Sequence, residues 1–297
     1  MAAGDRVAII GAGTMGGQLA VTLAGRGVPV RLTDAAPAAL AAARDRIAAD
    51  AARLVDEGVL AGPAAAISAR VEAVSTLADA VHGAWLVIEA APERLDLKRA
   101  LFAELSALAP PDVILATNSS SFRSRLLADV TRHPARLLNT HFYHHPWQRN
   151  GVELMTCGQT DPAVIERVAA FLRATGFLPV VVRGESTGFI YNRIWRAIKR
   201  ESLRVVAEGL ATPEEVDRLF CLALGAPVGP FGLMDRVGLD VVADIERHYA
   251  AESGRPEDEP PALLDELVRA GRLGVKTGRG FYGYPDPPFA RPGWPRS

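Results

Sequence analysis

A chain of 297 residues, 49% of them hydrophobic, is long enough to bury one large core or two smaller ones. Its formal charge of −1 gives no broad field for nucleic acid, and no segment has the length and hydropathy of a membrane-spanning helix. Two widely separated cysteines match no metal or redox spacing, and the first residues enter a strand without a signal-peptide pattern. We therefore expect a cytoplasmic globular protein that binds neither nucleic acid nor membranes.

The first predicted element is a short apolar strand at residues 7–10, followed by a glycine-rich turn into a helix. In this G-x-G-x-x-G pattern the first glycine permits a tight turn, and the second lets the backbone approach a pyrophosphate. The third permits close packing of the helix on the strand, and the helix N-terminus faces the phosphates. The predicted cofactor-binding turn consists of Gly11, Gly13, Thr14, Met15 and Gly16.

The second predicted strand, residues 28–33, is followed by Asp34, which lies 23 residues after Gly11. An acid at this position accepts hydrogen bonds from both ribose hydroxyls of NAD and repels the 2′-phosphate of NADP. A glycine turn without a ligand is the alternative for the turn alone. The ordered series of strand, glycine turn, helix, strand and acid predicts an NAD-binding domain.

Strand and helix patterns alternate up to Ser186, and helical patterns follow it. Such alternation predicts an α/β fold with a mostly parallel, doubly wound Rossmann-type sheet. Further strands are predicted at residues 85–89, 113–117, 137–140 and 179–182, and helices at 38–57, 95–108, 163–175, 213–224 and 261–270. We expect a nucleotide-binding domain at residues 1–186 and an all-α C-terminal domain at residues 187–297.

Polar residues near the ends of the later strands are candidates for catalysis. An imidazole titrates near neutral pH, so a histidine such as His141 is a candidate to take a proton from an alcohol while a hydride leaves the same carbon. Glu153, twelve residues later, can orient the ring, although a structural histidine is the alternative. Asn118 and Ser120 follow a strand at the edge where open α/β sheets bind ligands. Ser120 can hold an alkoxide-like oxygen there or cap the next helix.

On these and further motifs, the sequence resembles the 3-hydroxyacyl-CoA dehydrogenase family over nearly its whole length. Several such matches in the same order are very improbable by chance. The resemblance is carried by residues 11–16, 88–93 with Lys98, 116–121, 141–153, 188–193, 229–240 and 274–282.

The resemblance implies a role for each matched residue. His141 takes the place of the catalytic base and Glu153 that of its partner, while Ser120 and Asn192 bind the reacting oxygen. Asn192 could instead be a satisfied group near the start of a helix. Three further residues, Glu93, Lys98 and Asn118, match cofactor-binding positions. Of these, Glu93 and Lys98 match positions near the nicotinamide half of NAD. Taken alone, Lys98 would be interpreted as a surface lysine on an amphipathic helix. The family also implies an acyl thioester substrate and a homodimer formed through the helical domain.

The sequence departs from the family in the segment after His141. Three histidines, at 141, 144 and 145, lack a supporting cysteine or acid at ligand spacing, so we expect no metal. Trp147 is expected either to cover the substrate pocket or only to pack. Arg149 stands where relatives have an apolar residue, so it is expected either to select a polar acyl group or to point to solvent.

A second departure is a basic stripe on the helix after Asn192. Its residues are spaced by three or four, as on one helix face. A solvated face is one interpretation, and a surface for the phosphates of CoA or of an acyl carrier protein's phosphopantetheine is the other. The stripe consists of Arg193, Arg196, Lys199, Arg200 and Arg204.

The predicted function is NAD-dependent oxidation of a 3-hydroxyacyl thioester to the 3-oxoacyl thioester, or the reverse reduction. One alternative is a short polar hydroxyacyl group on an acyl carrier protein, such as a glyceryl-type unit, and another is a free hydroxy acid or sugar acid. A structural protein that retains the fold without turnover is a third. Retention of all four candidate catalytic residues argues against that alternative. They are Ser120, His141, Glu153 and Asn192.

Overall fold

The computed structural model describes residues 6–296, without the side chain of Glu257. The chain forms two compact units, one reaching Ile190 and the other starting at Tyr191. Among the helices within these residues, none combines the length and the hydropathy that a membrane crossing requires.

An eight-stranded sheet forms the centre of the first unit, in the order β3-β2-β1-β4-β5-β6-β7-β8 over the described residues. Its neighbouring strands are parallel except β6 and β7. The strands are β1 (Arg6–Ile10), β2 (Val30–Thr33), β3 (Val71–Ala73), β4 (Ala84–Glu89), β5 (Ile114–Thr117), β6 (Leu137–Phe142), β7 (Gly151–Thr156) and β8 (Leu178–Val182). The predicted mostly parallel, doubly wound sheet is confirmed.

Helices cover both faces of this sheet. Because successive strand residues point to opposite faces, Val7 and Ile9 of β1 join one core while Ala8 and Ile10 join the other. The first core includes residues of α1, α2 and α7, and the second includes residues of α4 and α5. The helices of the unit are α1 (Thr14–Gly25), α2 (Pro37–Asp56), α3 (Ala64–Ala69), α4 (Leu77–Val81), α5 (Leu95–Leu108), α6 (Arg125–Ala128) and α7 (Pro162–Ala174).

The direction of the strands places the candidate residues. Strands β1, β2, β4, β5 and β6 are mutually parallel, so their carboxyl ends meet at one edge of the sheet. Strand β7 is reversed and begins at that edge. The sequence patterns predict neither β3 nor β7, because β3 has only three residues and β7 carries the buried Glu153 among apolar neighbours.

The second unit is helical, as predicted. Its core contains Leu203, Phe231, Val242 and Leu264, contributed by four different helices. A capping box between Thr212 and Glu215 starts the second helix. The helices are α8 (Tyr191–Ala207), α9 (Pro213–Leu224), α10 (Pro230–Val237), α11 (Leu239–Ser253) and α12 (Ala262–Arg269).

Ion pairs with buried acidic side chains account for much of the basic stripe on α8. Lys199 Nζ lies 2.5 Å from Glu246 Oε1, and both side chains are buried. Arg196 Nη2 lies 3.3 Å from Asp258 Oδ2, and Arg200 pairs with the other oxygen of Asp258. Hydrogen bonds and these arginines hold the pKa of Asp258 well below its usual range. The interpretation of the stripe as a solvated face is therefore wrong for these three basic residues, which are structural ion pairs within the unit.

Two buried aspartates anchor the C-terminal segment. Asp217 of α9 accepts hydrogen bonds from the N–H groups of Phe231 and Gly232 in the first turn of α10, at 2.8 and 2.9 Å. The hydroxyl of Tyr282 donates to the same carboxylate at 3.0 Å. Asp235 accepts hydrogen bonds from the backbone N–H groups of Phe281 and Tyr282, both at 2.9 Å. The Gly-rich sequence around Tyr282 is thereby fixed to the helices.

Candidate functional site

Each of the three motif glycines in the turn after β1 is required for a different local reason. Gly11 has a φ of 111°, and a Cβ there would lie 2.6 Å from the carbonyl oxygen of Ala90. At Gly16 a Cβ would lie 1.8 Å from the carbonyl oxygen of Gly11, so the helix could not pack so closely on the strand. A Cβ at Gly13 would meet nothing within 4 Å. The exposed Gly13 therefore leaves open space in front of the turn, as a bound pyrophosphate requires.

The start of α1 and the end of β2 suit the two halves of an adenosine diphosphate. No side chain within residues 6–296 caps α1, and its first turn contains no acid, so its amides are available to an anion. Asp34 Oδ2 accepts a hydrogen bond from the Ala12 N–H at 2.7 Å, and its Oδ1 accepts one from Ala36 at 2.8 Å. These bonds fix the carboxylate beside the turn and leave lone pairs for ribose hydroxyls. The residues fit NAD.

Lys98 is buried, so the alternative of an ordinary surface lysine is wrong. Its Nζ lies 2.6 Å from Glu89 Oε1 and 3.1 Å from Glu93 Oε2. Glu89 is the last residue of β4, and Lys98 stands in the first turn of α5. The ammonium group thus links the end of the strand to the two acids beside it.

The carboxylate of Glu93 belongs to the same network. Its Oε1 accepts hydrogen bonds from the Ser119 hydroxyl at 2.5 Å and from the Ser121 N–H at 3.0 Å. Burial raises the pKa of Glu93, but the Lys98 charge and the hydrogen bonds from both serines lower it more. Glu93 is therefore held as an anion beside the carboxyl ends of β4 and β5.

The segment after β5 has one fixed and one open side chain. Asn118 Oδ1 accepts a hydrogen bond from the Phe142 N–H at 2.8 Å, so it ties this segment to the end of β6. The hydroxyl of Ser120 is exposed and makes no hydrogen bond to any residue in the described range 6–296. Because α6 begins at Arg125 with Ser124 at its cap position, Ser120 does not cap that helix. Ser120 faces solvent at the same sheet edge as Gly11 and Asp34.

His141 and Glu153 form a buried pair. They lie directly opposite one another in the antiparallel register of β6 and β7. The distance between His141 Nδ1 and Glu153 Oε2 is 2.9 Å, and the two residues are 5% and 4% exposed. A carboxylate at Nδ1 favours the tautomer with the proton on that nitrogen, which leaves the Nε2 lone pair free to accept a proton. The spacing of twelve residues is thus that of a hairpin.

Two further groups hold this pair. The N–H of Ile190 donates to Glu153 Oε1 at 2.8 Å, and the Tyr143 hydroxyl donates to Oε2 at 2.7 Å. The ring of Phe189 stacks on the imidazole of His141, with 4.9 Å between centroids and 22° between planes. Phe189 has a positive φ of 55°, rare for a non-glycine residue, and its ring is buried. The ring and the carboxylate together fix the orientation of the imidazole.

The residues singled out in the loop after β6 have different surroundings in the structure. Trp147 is buried in the core with α1 and α2, and the guanidinium of Arg53 lies 5.4 Å from its ring centre. Arg149 is exposed. Desolvation and the charges of His145 and Arg149 lower the pKa of His144. Within the described residues, no cluster of histidine, cysteine or acidic side chains is arranged to hold a metal ion.

Not every candidate lies in the first unit. Asn192 lies in the first turn of α8, in the second unit, and is partly exposed. Among the residues of the first unit that sequence reasoning did not single out for roles in the site are Tyr143, Glu89 and Phe189. An alternation of side chains along β6 would have indicated Tyr143, because it lies two residues after His141. No local signal marks the other two, Glu89 and Phe189.

Both units match known domains. Residues 6–186 match the sequence profile described as 3-hydroxyacyl-CoA dehydrogenase, NAD binding domain, and residues 188–284 match its C-terminal domain. A 5-formyl-3-hydroxy-2-methylpyridine 4-carboxylate 5-dehydrogenase from Mesorhizobium japonicum is 32% identical, over 94% of this chain and 90% of its own. A 3-hydroxybutyryl-CoA dehydrogenase from Mycobacterium tuberculosis is 35% identical, over 94% of this chain and 98% of its own.

A solved structure agrees with these relatives. The crystal structure of an (S)-3-hydroxybutyryl-CoA dehydrogenase from Ralstonia eutropha is 34% identical, with a TM-score of 0.89 and coverage of 95% of this chain and 99% of that one. The matched domains follow one another in the order of the two units and span nearly the whole chain. The chain therefore belongs to the 3-hydroxyacyl-CoA dehydrogenase family and is an NAD-dependent oxidoreductase.

Proposed function

We propose that the protein oxidises a short-chain 3-hydroxyacyl-CoA thioester to the 3-oxoacyl thioester with NAD, or catalyses the reverse reduction. The observation that carries this proposal is the buried His141–Glu153 pair, at the same sheet edge as the glycine turn. Relatives named as 3-hydroxybutyryl-CoA dehydrogenases, similar over nearly their whole length, support the substrate class.

The residues of the site account for the movement of the proton. His141 Nε2 takes the proton of the 3-hydroxyl group as the carbon–oxygen double bond forms and the hydride leaves C3. Bound NAD⁺ supplies the acceptor for that hydride. Glu153, 2.9 Å from Nδ1, stabilises the imidazolium, because its charge lies opposite the one that develops. The Ser120 hydroxyl, and on the motif match alone Asn192, hold the reacting oxygen.

The direct test is a spectrophotometric assay of NADH with (S)-3-hydroxybutyryl-CoA. We expect the natural chain to turn over this substrate. For His141→Asn we expect a kcat that is lower by a factor of about 10²–10⁴, the usual contribution of a positioned acid–base group. NAD affinity should be unchanged in that variant. Glu153→Gln should also lower kcat, since the imidazolium loses its charged partner. Normal turnover by His141→Asn would require a different base.

A second candidate function has its own observation. The exposed Arg149 lies in the loop that follows β6, close enough to His144 for its charge to lower the pKa of that ring. One relative is named for a pyridine carboxylate rather than a thioester. An arginine at the substrate would favour acceptor oxygens, as in a short hydroxylated acyl group on CoA or an acyl carrier protein, or in a free hydroxy or sugar acid.

Comparing substrates separates the two candidates. The assay sets acetoacetyl-CoA against longer 3-oxoacyl-CoA esters, hydroxylated short thioesters on CoA and carrier protein, and free hydroxy acids. If the polar compounds are preferred and Arg149→Met lowers their kcat/KM by about tenfold, roughly 1.4 kcal/mol, the second candidate is supported. Preference for acetoacetyl-CoA by both proteins would leave Arg149 as a surface residue.

A parallel assay of Trp147→Phe with the same substrates tests whether Trp147, from its position in the core, affects substrate preference.

We also propose that the protein is a homodimer formed through the second unit. Helix α9 exposes Leu219, Leu222 and Leu224, of which Leu219 is 67% exposed. Large apolar side chains clustered on a surface are typical of contact sites. Light scattering after size exclusion should give twice the mass of the chain, and Leu219→Glu with Leu222→Glu should give a single chain. A monomeric natural protein would contradict the proposal.

A further inference from the structure

The hydroxyl of Tyr143 shares one carboxylate oxygen with the imidazole of His141. Glu153 Oε2 lies 2.7 Å from the Tyr143 hydroxyl and 2.9 Å from His141 Nδ1. The two rings meet edge to face, with 4.8 Å between centroids. Because strand side chains alternate, a residue two positions after His141 lies on the same face. The short sequence His-Phe-Tyr therefore places a phenol hydroxyl beside the imidazole and its partner.

Several elements of the first unit contribute groups to the surroundings of the pair. Strands β6 and β7 and the residue after β6 supply His141, Glu153 and Tyr143. Strand β8 places Val180 next to Glu153 in register, and the segment before α8 supplies the Ile190 N–H. Among these groups, the imidazole of His141 and the phenol of Tyr143 both contact Oε2 and so compete for it.

This competition has a definite direction. When the imidazole is neutral, the full carboxylate charge is available to the Tyr143 hydroxyl, and that hydrogen bond is strong. When the imidazole is protonated, the ion pair draws on the same oxygen, and the phenol bond is weakened. The phenol therefore stabilises the neutral imidazole relative to the imidazolium. Without it, Glu153 would hold the imidazolium more tightly.

We propose that Tyr143 is a positioning residue which, by donating to Glu153 Oε2, weakens the hold of that carboxylate on the imidazolium form of His141. This proposal rests on the proposed function, because it concerns the same proton transfer. Tyr143 does not itself exchange a proton with the substrate. It limits how strongly the carboxylate stabilises the product of that transfer.

The test compares the pH dependence of kcat/KM in the natural chain and in Tyr143→Phe, in the oxidation direction. The low-pH midpoint should move up by about half a pH unit in the variant, a roughly threefold change in proton affinity, as expected for part of one hydrogen bond. The matched control is Tyr284→Phe, which removes a half-buried phenol that donates to Asp235 at 3.0 Å in the second unit. The control should leave the midpoint in place.

A second readout needs no substrate. The histidine ring resonances of the NAD-free protein, with the His141 signal assigned by its loss in His141→Asn, give the same midpoint directly. An upward shift in Tyr143→Phe by this method supports the proposal even if no hydroxyacyl substrate is turned over, in which case only the proposed function fails. A midpoint that moves by less than about 0.2 pH unit, or downwards, would overturn it, and a lower kcat with no shift would show a purely structural role.

Discussion

Lys98 Nζ lies 2.6 Å from Glu89 Oε1, and both side chains are buried at the carboxyl edge of the sheet. The hydroxyl of Thr117 donates to the other oxygen of Glu89 at 2.6 Å, so the ends of β4, β5 and α5 meet at one carboxylate. Removing one member of a buried ion pair leaves an uncompensated charge. This network holds Glu93 and Lys98 next to the glycine turn.

Glu89→Gln should therefore destabilise the protein by about 3 kcal/mol, within the range for a broken buried pair. Lys98 would keep only Glu93 as a charged partner, so the position of Glu93 should change and NAD should bind several-fold more weakly. Urea unfolding and NAD titration measure the two effects. The control is Asp96→Asn, which breaks an exposed pair with Arg94 and should leave the stability nearly unchanged. Equal stability of the two variants would contradict the prediction.

Asp34→Asn should lower the preference for NAD over NADP by at least about tenfold in kcat/KM, since the negative charge that opposes a 2′-phosphate is lost. Asparagine retains one oxygen acceptor, so only one of the bonds from Ala12 and Ala36 must be replaced. Asp45→Asn is the control, because it removes the same charge from an exposed position on α2. An unchanged ratio in Asp34→Asn would show that another residue selects the cofactor.

Sequence periodicity was sufficient for the parts of the site that are local. The strand, glycine turn and acid of a nucleotide-binding unit follow one another within 34 residues, so Gly11 and Asp34 could be predicted together. His141 and Glu153 could be paired by spacing and resemblance, although the strand that carries Glu153 was not predicted. Its antiparallel register supplies the reason for that spacing.

Contacts between distant segments could not be predicted. The bond between the Ile190 N–H and Glu153 joins residues 37 positions apart, and no local pattern marks it. The stripe on α8 was interpreted from its spacing alone, but the acidic side chains that pair with Lys199 and Arg196 are on α11 and in the segment after it. A helix face shows which side chains lie together, and only the fold shows what covers them.

Asp217→Asn should change how stability depends on pH. Burial raises the pKa of Asp217 from 3.8 to about 6, while hydrogen bonds from Phe231, Gly232 and Tyr282 act in the opposite direction. The folded state therefore binds this proton more tightly than the unfolded chain, and the unfolding free energy falls as pH rises through that interval. The loss is about 3 kcal/mol in total.

The variant does not titrate at this position, so the stability of the natural chain relative to Asp217→Asn should be greatest below about pH 3 and smaller by about 3 kcal/mol near pH 7. Urea unfolding of both proteins across this range measures the difference, and the titrations of groups that do not interact with Asp217 cancel in it. A difference that is constant with pH would mean that folding leaves the pKa of Asp217 unchanged.

Gly280→Ala should destabilise the second unit by more than about 2 kcal/mol, because a buried carboxylate stands where the methyl group would be. A Cβ at Gly280 would lie 2.0 Å from Asp235 Oδ1 and 2.7 Å from the Cα of Gly274. Asp235 would have to move, and it would release the N–H groups of Phe281 and Tyr282, which both donate to it. Gly283→Ala is the matched control, since a Cβ there meets nothing within 4 Å. Thermal unfolding should separate the two variants by several degrees, and equal melting temperatures would show that the tail can move aside at little cost.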